Sequence, residues 1–337
     1  MTASVTVPVL DFSLFRSKSV GDQKAFASDL VKSFQDHGFV KLINHGLPES
    51  TARACMESCK DFFGLSTEVK NEIANVKGPH PQRGFSVAGD EQTSKLRKVN
   101  LQGRSSYDGL TDLREHFDAG PRHDKEYPNK WPTEEQLPGF RRLIEDCYYQ
   151  FQDTCIGIMT AMEVGLDLPA QSLVKRCKPA ASELRLNHYP SVDLRELAEG
   201  KVKRTWPHTD FGIITLLFQD DIGGLELEDR RRPGTFVPVT SGDYNGQTVM
   251  VVNISDTFQR WTNDHITAGL HQVSVPPSMK GRNEGVCPER YSSIFFFKAD
   301  RQTSVGPLPE FVGDETPALY DEITALQFQQ RRTKLLY

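Results

Sequence analysis

The chain has 337 residues, with 40 Lys plus Arg against 45 Asp plus Glu, a formal charge of −5, and 37% hydrophobic and 25% charged residues. This composition suits one large domain or two modest ones and argues against global disorder. A mildly acidic total without a long Lys/Arg run also argues against nucleic acid or anionic lipid as a partner.

Residues 7–11 form a short β-type run, with Pro8 suited to a sheet edge. Residues 21–37 carry Phe26, Leu30, Val31 and Phe34 at helical spacing, residues 39–43 return to strand, and residues 47–63 read as a helix ended by Gly64. Residues 77–131 are polar, rich in Gly and Pro, and read as strand and loop wrapped over another part of the fold. Residues 138–166 form the longest periodic stretch, with a broad apolar face running from Phe140 to Met162. This helix is expected to be a platform under a sheet.

After position 181 the pattern changes to short β-like runs at 184–189, 205–209, 213–219, 225–228, 236–239, 248–252, 270–275 and 291–298. Many short strands between turns predict a sandwich or barrel. Residues 317–336 read as a closing helix, with Ile323, Leu326 and Phe328 available to pack. The fold class is therefore α+β, divided into an N-terminal helical and strand region (1–180), a β-core (181–300) and a C-terminal tail (301–337).

No apolar stretch approaches the roughly 18–20 residues of a membrane span, and residues 1–10 lack a basic segment followed by an apolar one. The terminal Leu335, Leu336 and Tyr337 make no peroxisomal address. The six cysteines form no Cys-x-x-Cys pair and read as reduced, buried residues, so a cytoplasmic location is expected.

His208 and Asp210 stand two apart in a predicted strand, so both point to one face. The pair alone is a weak signal. His271, in the run 270–275, can return to it by antiparallel pairing across a small barrel. Two imidazoles and one carboxylate on one side of an ion leave positions open, the arrangement of non-haem Fe(II) oxygenases. Of the other histidines, His45 and His37 read as structural, His80, His116 and His123 as solvated, His265 as a surface residue, and His188 as facing away from Asn187 and Tyr189. Arg290 and Ser292 share a strand face. They form either a water-shielded clamp for a carboxylate or an arginine paired with Glu289 at the strand entrance.

These residues sit within a longer pattern. Val7-Pro8-Val9-Leu10-Asp11, His37-Gly38-Phe39-Val40 and Asn44-His45-Gly46 are followed by Pro207-His208-Thr209-Asp210-Phe211-Gly212, Gly223-Gly224-Leu225, Asn253-Ile254, Trp261-Thr262-Asn263, His271 and Arg290-Tyr291-Ser292. In order and spacing, over nearly the whole chain, the pattern resembles the iron- and 2-oxoglutarate-dependent dioxygenases of the isopenicillin N synthase-like superfamily. The resemblance implies a double-stranded β-helix (jelly-roll) core. It implies His208, Asp210 and His271 as catalytic Fe(II) ligands, Arg290 and Ser292 as the holders of the distal carboxylate of 2-oxoglutarate, and Asn187 and Tyr189 as helpers that seat it. It further implies O2 as the oxidant, release of succinate and CO2, and C–H oxidation of a small, natural-product-like substrate. Ser255 stands where the family has glycine before Asp256, and Gln272 stands where arginine often follows the last ligand. An oxidase of the same fold that does not use 2-oxoglutarate is the alternative.

For the substrate, Arg185 shares a face with Asn187 and Tyr189 and either reaches the pocket or lies at the surface, while Phe85, Phe211 and Phe297 are candidates for an apolar wall. The Arg83-Gly84-Phe85 loop and the C-terminal helix are expected to close over the site. The sequence leaves the oligomeric state and the outcome of oxidation open.

Overall fold

The computed structural model describes residues 6–240 and 243–337; the first five residues, part of the N-terminal segment read above, lie outside them. The principal elements are β1 (Val9–Asp11), α1 (Val20–His37), β2 (Phe39–Ile43), α2 (Glu49–Phe63), β3 (Gly84–Ser86), β4 (Glu115–Ala119), α3 (Phe140–Gly165), β5 (Glu183–Tyr189), β6 (Thr205–His208), β7 (Ile214–Gln219), β8 (Leu225–Glu228), β9 (Phe236–Pro238), β10 (Met250–Ile254), α4 (Asp256–Trp261), β11 (His271–Val273), β12 (Arg290–Phe297) and α5 (Ala325–Thr333).

The strands pair into a large sheet ordered β1-β2-β10-β7-β12-β5-β4-β3 and a smaller one ordered β9-β8-β11-β6. Within these sheets only β1 and β2 run parallel. Together the sheets build the jelly-roll core. Because β1 to β4 complete the large sheet, the N-terminal region is part of it as well as a cover for it.

Strand period 2 sorts β12 between two cores. Ile294 and Phe296 pack with Leu217, Leu227 and Val273 between the sheets, whereas Phe295 and Phe297 face α3. On that second side the rings of Phe151 and Phe295 stack with centroids 5.5 Å apart, and Tyr148 meets Phe295 edge-on at 5.1 Å. Fully burying such side chains contributes roughly 1.5–3 kcal/mol each, which fixes β12 rigidly from behind.

At the end of α1, Gly38 takes φ 72° and its N–H donates to the Phe34 carbonyl at 2.8 Å. A Cβ there would stand 2.8 Å from the Gly269 Cα, so the turn admits only glycine and brings β2 close to the segment leading into β11. The predicted tail helix is shorter than its pattern. Thr324 and Gln327 form a capping box that starts α5 at Ala325, and the Arg260 guanidinium holds the Asp321 carbonyl at 2.7 Å ahead of it. Ile323, Leu326 and Phe328 are only half-buried, while Thr333 and Leu336 are buried. The run expected at 248–252 lies instead at Met250–Ile254, displaced by the turn at Asn245 and Gly246, both of which have positive φ. No described helix is long and apolar enough to cross a membrane.

Candidate metal centre

His208 ends β6, and its direct cross-strand partner in β11 is His271. Asp210 follows two residues after His208. The three side chains converge: His208 Nε2 lies 3.7 Å from Asp210 Oδ1, His271 Nε2 lies 3.9 Å from Asp210 Oδ2, and one ligand atom from each falls within 4.8 Å of the others. Both imidazoles are held from behind through Nδ1, by the Trp206 carbonyl at 2.7 Å and the Gly269 carbonyl at 3.0 Å. Carbonyls accept the Nδ1 proton and leave each Nε2 lone pair facing the centre. Asn253 Nδ2 donates to Asp210 Oδ2 at 2.9 Å and fixes the carboxylate.

Burial, and then the neighbouring His271, push His208 down to about 3, so it is neutral at physiological pH. Burial alone would raise Asp210, but His271, His208 and Asn253 outweigh it and hold the carboxyl below its usual value. Two imidazole nitrogens and one carboxylate oxygen, with no fourth donor in the set among the described residues, suit Fe(II) with positions left open better than a closed structural zinc site. Gly212 makes the turn after this motif possible, because a Cβ there would lie 2.5 Å from the Phe297 carbonyl oxygen.

A second group forms where β5 pairs with β12, with Asn187 opposite Ser292 and Tyr189 opposite Arg290. Arg290 is fully buried and lies 4.8 Å from the Tyr189 ring centroid. Its Nη2 donates to Gln219, Nη1 stands 3.5 Å from Ser292 Oγ, and Nε has no partner. Among the described residues no carboxylate pairs with it. Glu289, the partner considered from sequence, turns instead to His188 at 3.2 Å and the Tyr291 hydroxyl at 3.0 Å. Asn187 Nδ2 donates to Ser292 Oγ at 3.2 Å, leaving Oδ1 buried and unpartnered. Burial would raise the Tyr189 phenol, but Arg290 and Arg114 bring it below its ordinary value.

A cleft opens beside His208 and Asp210. Arg185 lines it but is tied down inside the protein, with Nε on Asp118 Oδ1 at 2.8 Å and Nη1 on Glu91 at 3.1 Å. Phe211 lines the cleft as expected, beneath the Arg332 guanidinium at 4.9 Å. The other two expected wall residues do not. Phe297 lies on the helix side of β12, seven residues from Arg290 and therefore on the opposite face, and Phe296 takes the cleft position. Phe85 pairs with Phe117 across β3 and β4 and packs 6.3 Å from the Phe62 ring in the large core. His116, expected to be solvated, is fully buried on β4 with Nδ1 2.7 Å from Asp118 Oδ2.

Sequence reasoning missed Glu91, Arg114, Glu183 and Lys298, which give the cleft its charged wall, and Thr333 and Leu336, which close it from the end of α5 and just beyond. The two family departures are accommodated: Ser255 Oγ lies 3.3 Å from Thr215 Oγ1, and Gln272 donates to Glu226 at 2.8 Å.

Residues 7–134 match the family model described as the N-terminal domain of non-haem dioxygenases in morphine synthesis, and residues 181–299 match that of the 2OG-Fe(II) oxygenase superfamily. The chain is 47% identical to the 2-oxoglutarate-dependent dioxygenase phqC of Penicillium fellutanum, over 98% of this chain and 94% of that one. It is 44% identical to the 2-oxoglutarate-dependent dioxygenase ecdK of Aspergillus rugulosus, over 99% and 100%. In three dimensions it resembles a full-length Neurospora crassa protein crystallised in complex with alpha-KG and thymine, with a TM-score of 0.84, 29% identity, and coverage of 98% and 97% of the two chains.

Proposed function

Because this chain belongs to the 2OG-Fe(II) oxygenase superfamily, we propose that His208, Asp210 and His271 hold its Fe(II) and that Arg290, Ser292, Asn187 and Tyr189 seat its 2-oxoglutarate. The enzyme is a 2-oxoglutarate-dependent dioxygenase that oxidises a C–H bond of a small organic substrate with O2 and releases succinate and CO2. The observation that carries the residue assignment is the fully buried Arg290, without a carboxylate partner among the described residues, in a chain that also converges His208, Asp210 and His271. An unpaired buried guanidinium is costly unless an anion reaches it.

Bound Fe(II) supplies the redox chemistry that joins O2 to 2-oxoglutarate. The protein supplies position and shielding. His208 and His271 offer Nε2, Asp210 offers a carboxylate oxygen, and Asn253 keeps that carboxylate from turning. Arg290 and Ser292 receive the distal carboxylate of the co-substrate through charge-assisted bonds in a site closed to water. Rotating the Asn187 amide by half a turn would let Oδ1 accept from the Ser292 hydroxyl and free Nδ2 to donate to the co-substrate. Phe211 and Phe296 line the approach to the metal residues and exclude water there.

We also assign the enzyme a natural-product substrate, a cytoplasmic location and no nucleic-acid partner. The net charge of −5 and six free, buried cysteines support the last two. Calorimetric titration with Fe(II) under anaerobic conditions, and then with 2-oxoglutarate, tests the residue assignment. His208→Ala and Asp210→Ala should lose metal binding, and Arg290→Met should lose the co-substrate while keeping the metal. Unchanged metal binding in either of the first two would refute the ligand set.

A further inference from the structure

The wall of the cleft contains one guanidinium with a donor that no protein group fills. Arg114 is 5% exposed and lines the cleft together with His208 and Asp210. Its Nη2 donates to Glu91, its only ion-pair partner among the described residues, and its Nε is buried without any partner. Glu91 is itself divided, because it also receives Arg185 Nη1 at 3.0 Å and Gln82 Nε2 at 3.0 Å, with His116 Nε2 standing 3.3 Å away without a hydrogen bond. Arg185 has a second counter-ion in Asp118, 2.8 Å away. Arg114 has no second direct ion pair among the described residues: Asp112, two residues earlier, accepts from the Thr93 N–H and hydroxyl and acts on Arg114 only through space.

The carboxylates lining the cleft offer little to a cationic ligand. Both oxygens of Glu91 are engaged as described. Glu183 Oε1 accepts from the Gln82 N–H, Arg83 and Gln329, and its Oε2 from Lys298. The same lining includes the apolar Leu96, Phe211, Phe296 and Leu336. A buried donor left open beside an apolar wall is matched by a ligand with an anionic head and a hydrocarbon body.

We propose that Arg114 receives a carboxylate of the substrate, so that the substrate is a small carboxylic acid whose carbon skeleton lies against Phe211, Phe296 and Leu336 next to the metal residues. The proposal rests on the dioxygenase reading and adds the class of molecule oxidised. Arg290 holds the carboxylate of the co-substrate, and Arg114 holds that of the substrate.

The test is anaerobic calorimetry of the full chain loaded with Mn(II) and 2-oxoglutarate, titrated with three probes of one carbon skeleton: L-leucine, 4-methylpentanoate and L-leucinamide. At least one of the two acids should bind, and L-leucinamide should bind at least about tenfold more weakly than the better acid. Arg114→Gln should weaken the acid probes by about 10- to 100-fold without a matching loss of 2-oxoglutarate affinity, and Arg114→Lys should recover part of that loss. Retained 2-oxoglutarate binding shows that the variant is folded. The wild-type comparison of acid with amide needs no variant.

Three results would overturn the proposal while leaving the dioxygenase reading intact: equal binding of amide and acid, no binding by either acid, or unchanged acid affinity in Arg114→Gln. A fall in 2-oxoglutarate affinity in Arg114→Gln as large as the fall for the acids would also overturn it, by making Arg114 a co-substrate residue. Failure of the wild type to bind 2-oxoglutarate would overturn both readings.

Discussion

Replacing Arg290 by methionine should move stability and co-substrate binding in opposite directions. In the free protein the guanidinium is fully buried, lacks a carboxylate partner among the described residues and keeps only polar contacts with Gln219 and Ser292. Removing a poorly compensated buried charge in favour of an apolar side chain of similar length stabilises by about 1–4 kcal/mol. Loss of the hydrogen bond to Gln219 offsets about 1 kcal/mol of this. Free Arg290→Met should therefore be between unchanged and about 3 kcal/mol more stable in urea titrations. The same change removes one partner of a buried charged pair in the complex, a loss of about 2–5 kcal/mol. The Kd for 2-oxoglutarate should then rise roughly 30- to 5,000-fold. With 2-oxoglutarate at about 100 times the wild-type Kd, wild type should gain about 2.7 kcal/mol and the variant under about 1 kcal/mol. A free variant destabilised by more than about 2 kcal/mol, yet still gaining the full increment from 2-oxoglutarate, would show that Arg290 is a structural residue and refute the reasoning.

Three further outcomes follow from the geometry. Asp112 is buried and its carboxyl is pushed up to about 6 from an ordinary 3.8 by loss of solvation. The folded value exceeds the unfolded one, so no cost exists below about pH 4, and the cost grows as pH rises through 6 to roughly 3 kcal/mol. Asp112→Asn should stabilise at pH 8 and have little effect at pH 4 in paired urea titrations; equal effects at both would exclude the titration as the cause. Phe297→Ala should lose about 3–5 kcal/mol of stability, whereas Phe296→Ala, half-buried on the cleft, should lose about 1 kcal/mol and instead lower substrate-stimulated succinate formation. Adding Mn(II) should raise the Tm of wild type but not of His271→Ala, a comparison read by thermal denaturation in metal-free buffer.

The pairing of His208 with Asp210 was legible because strand parity is local: two residues two apart need only a strand to share a face. The return of His271 is non-local, and the pairing of β11 with β6 makes it the direct neighbour of His208. Parity also held information that the reading of Phe297 ignored. Position 296, not 297, shares the face of Arg290 and Ser292, so counting along β12 assigns the cleft residue without coordinates. His116-Phe117-Asp118 repeats the spacing of the metal motif, and that signal marks a buried pair in a segment whose polarity suggested solvent. Glu91 and Arg114 had no such marker. They meet through space from an aperiodic segment, and their burial depends on β4, β5 and the residues after α5 closing around them. The tail helix was overextended because its apolar spacing continues upstream of Thr324, where hydrogen bonds from Arg260 to Asp321 hold the chain outside the helix.

One part of the cleft wall comes from segments of the chain that the metal centre does not use. His208, His271, Arg290 and Asn187 lie on strands bonded within the sheets, where a backbone shift would break ladders on several elements. Gln82, Glu91, Leu96 and Arg114 come from the segment between β3 and β4 and its approach, and Gln329, Thr333 and Leu336 come from α5 and the residues after it. Specificity is therefore modular with respect to reactivity. Grafting residues 82–114 together with 325–336 from a relative amounts to changing part of the lock while keeping the bolt, and a lineage carrying this fold can acquire new substrates by drift in two segments without revisiting the residues proposed to hold iron.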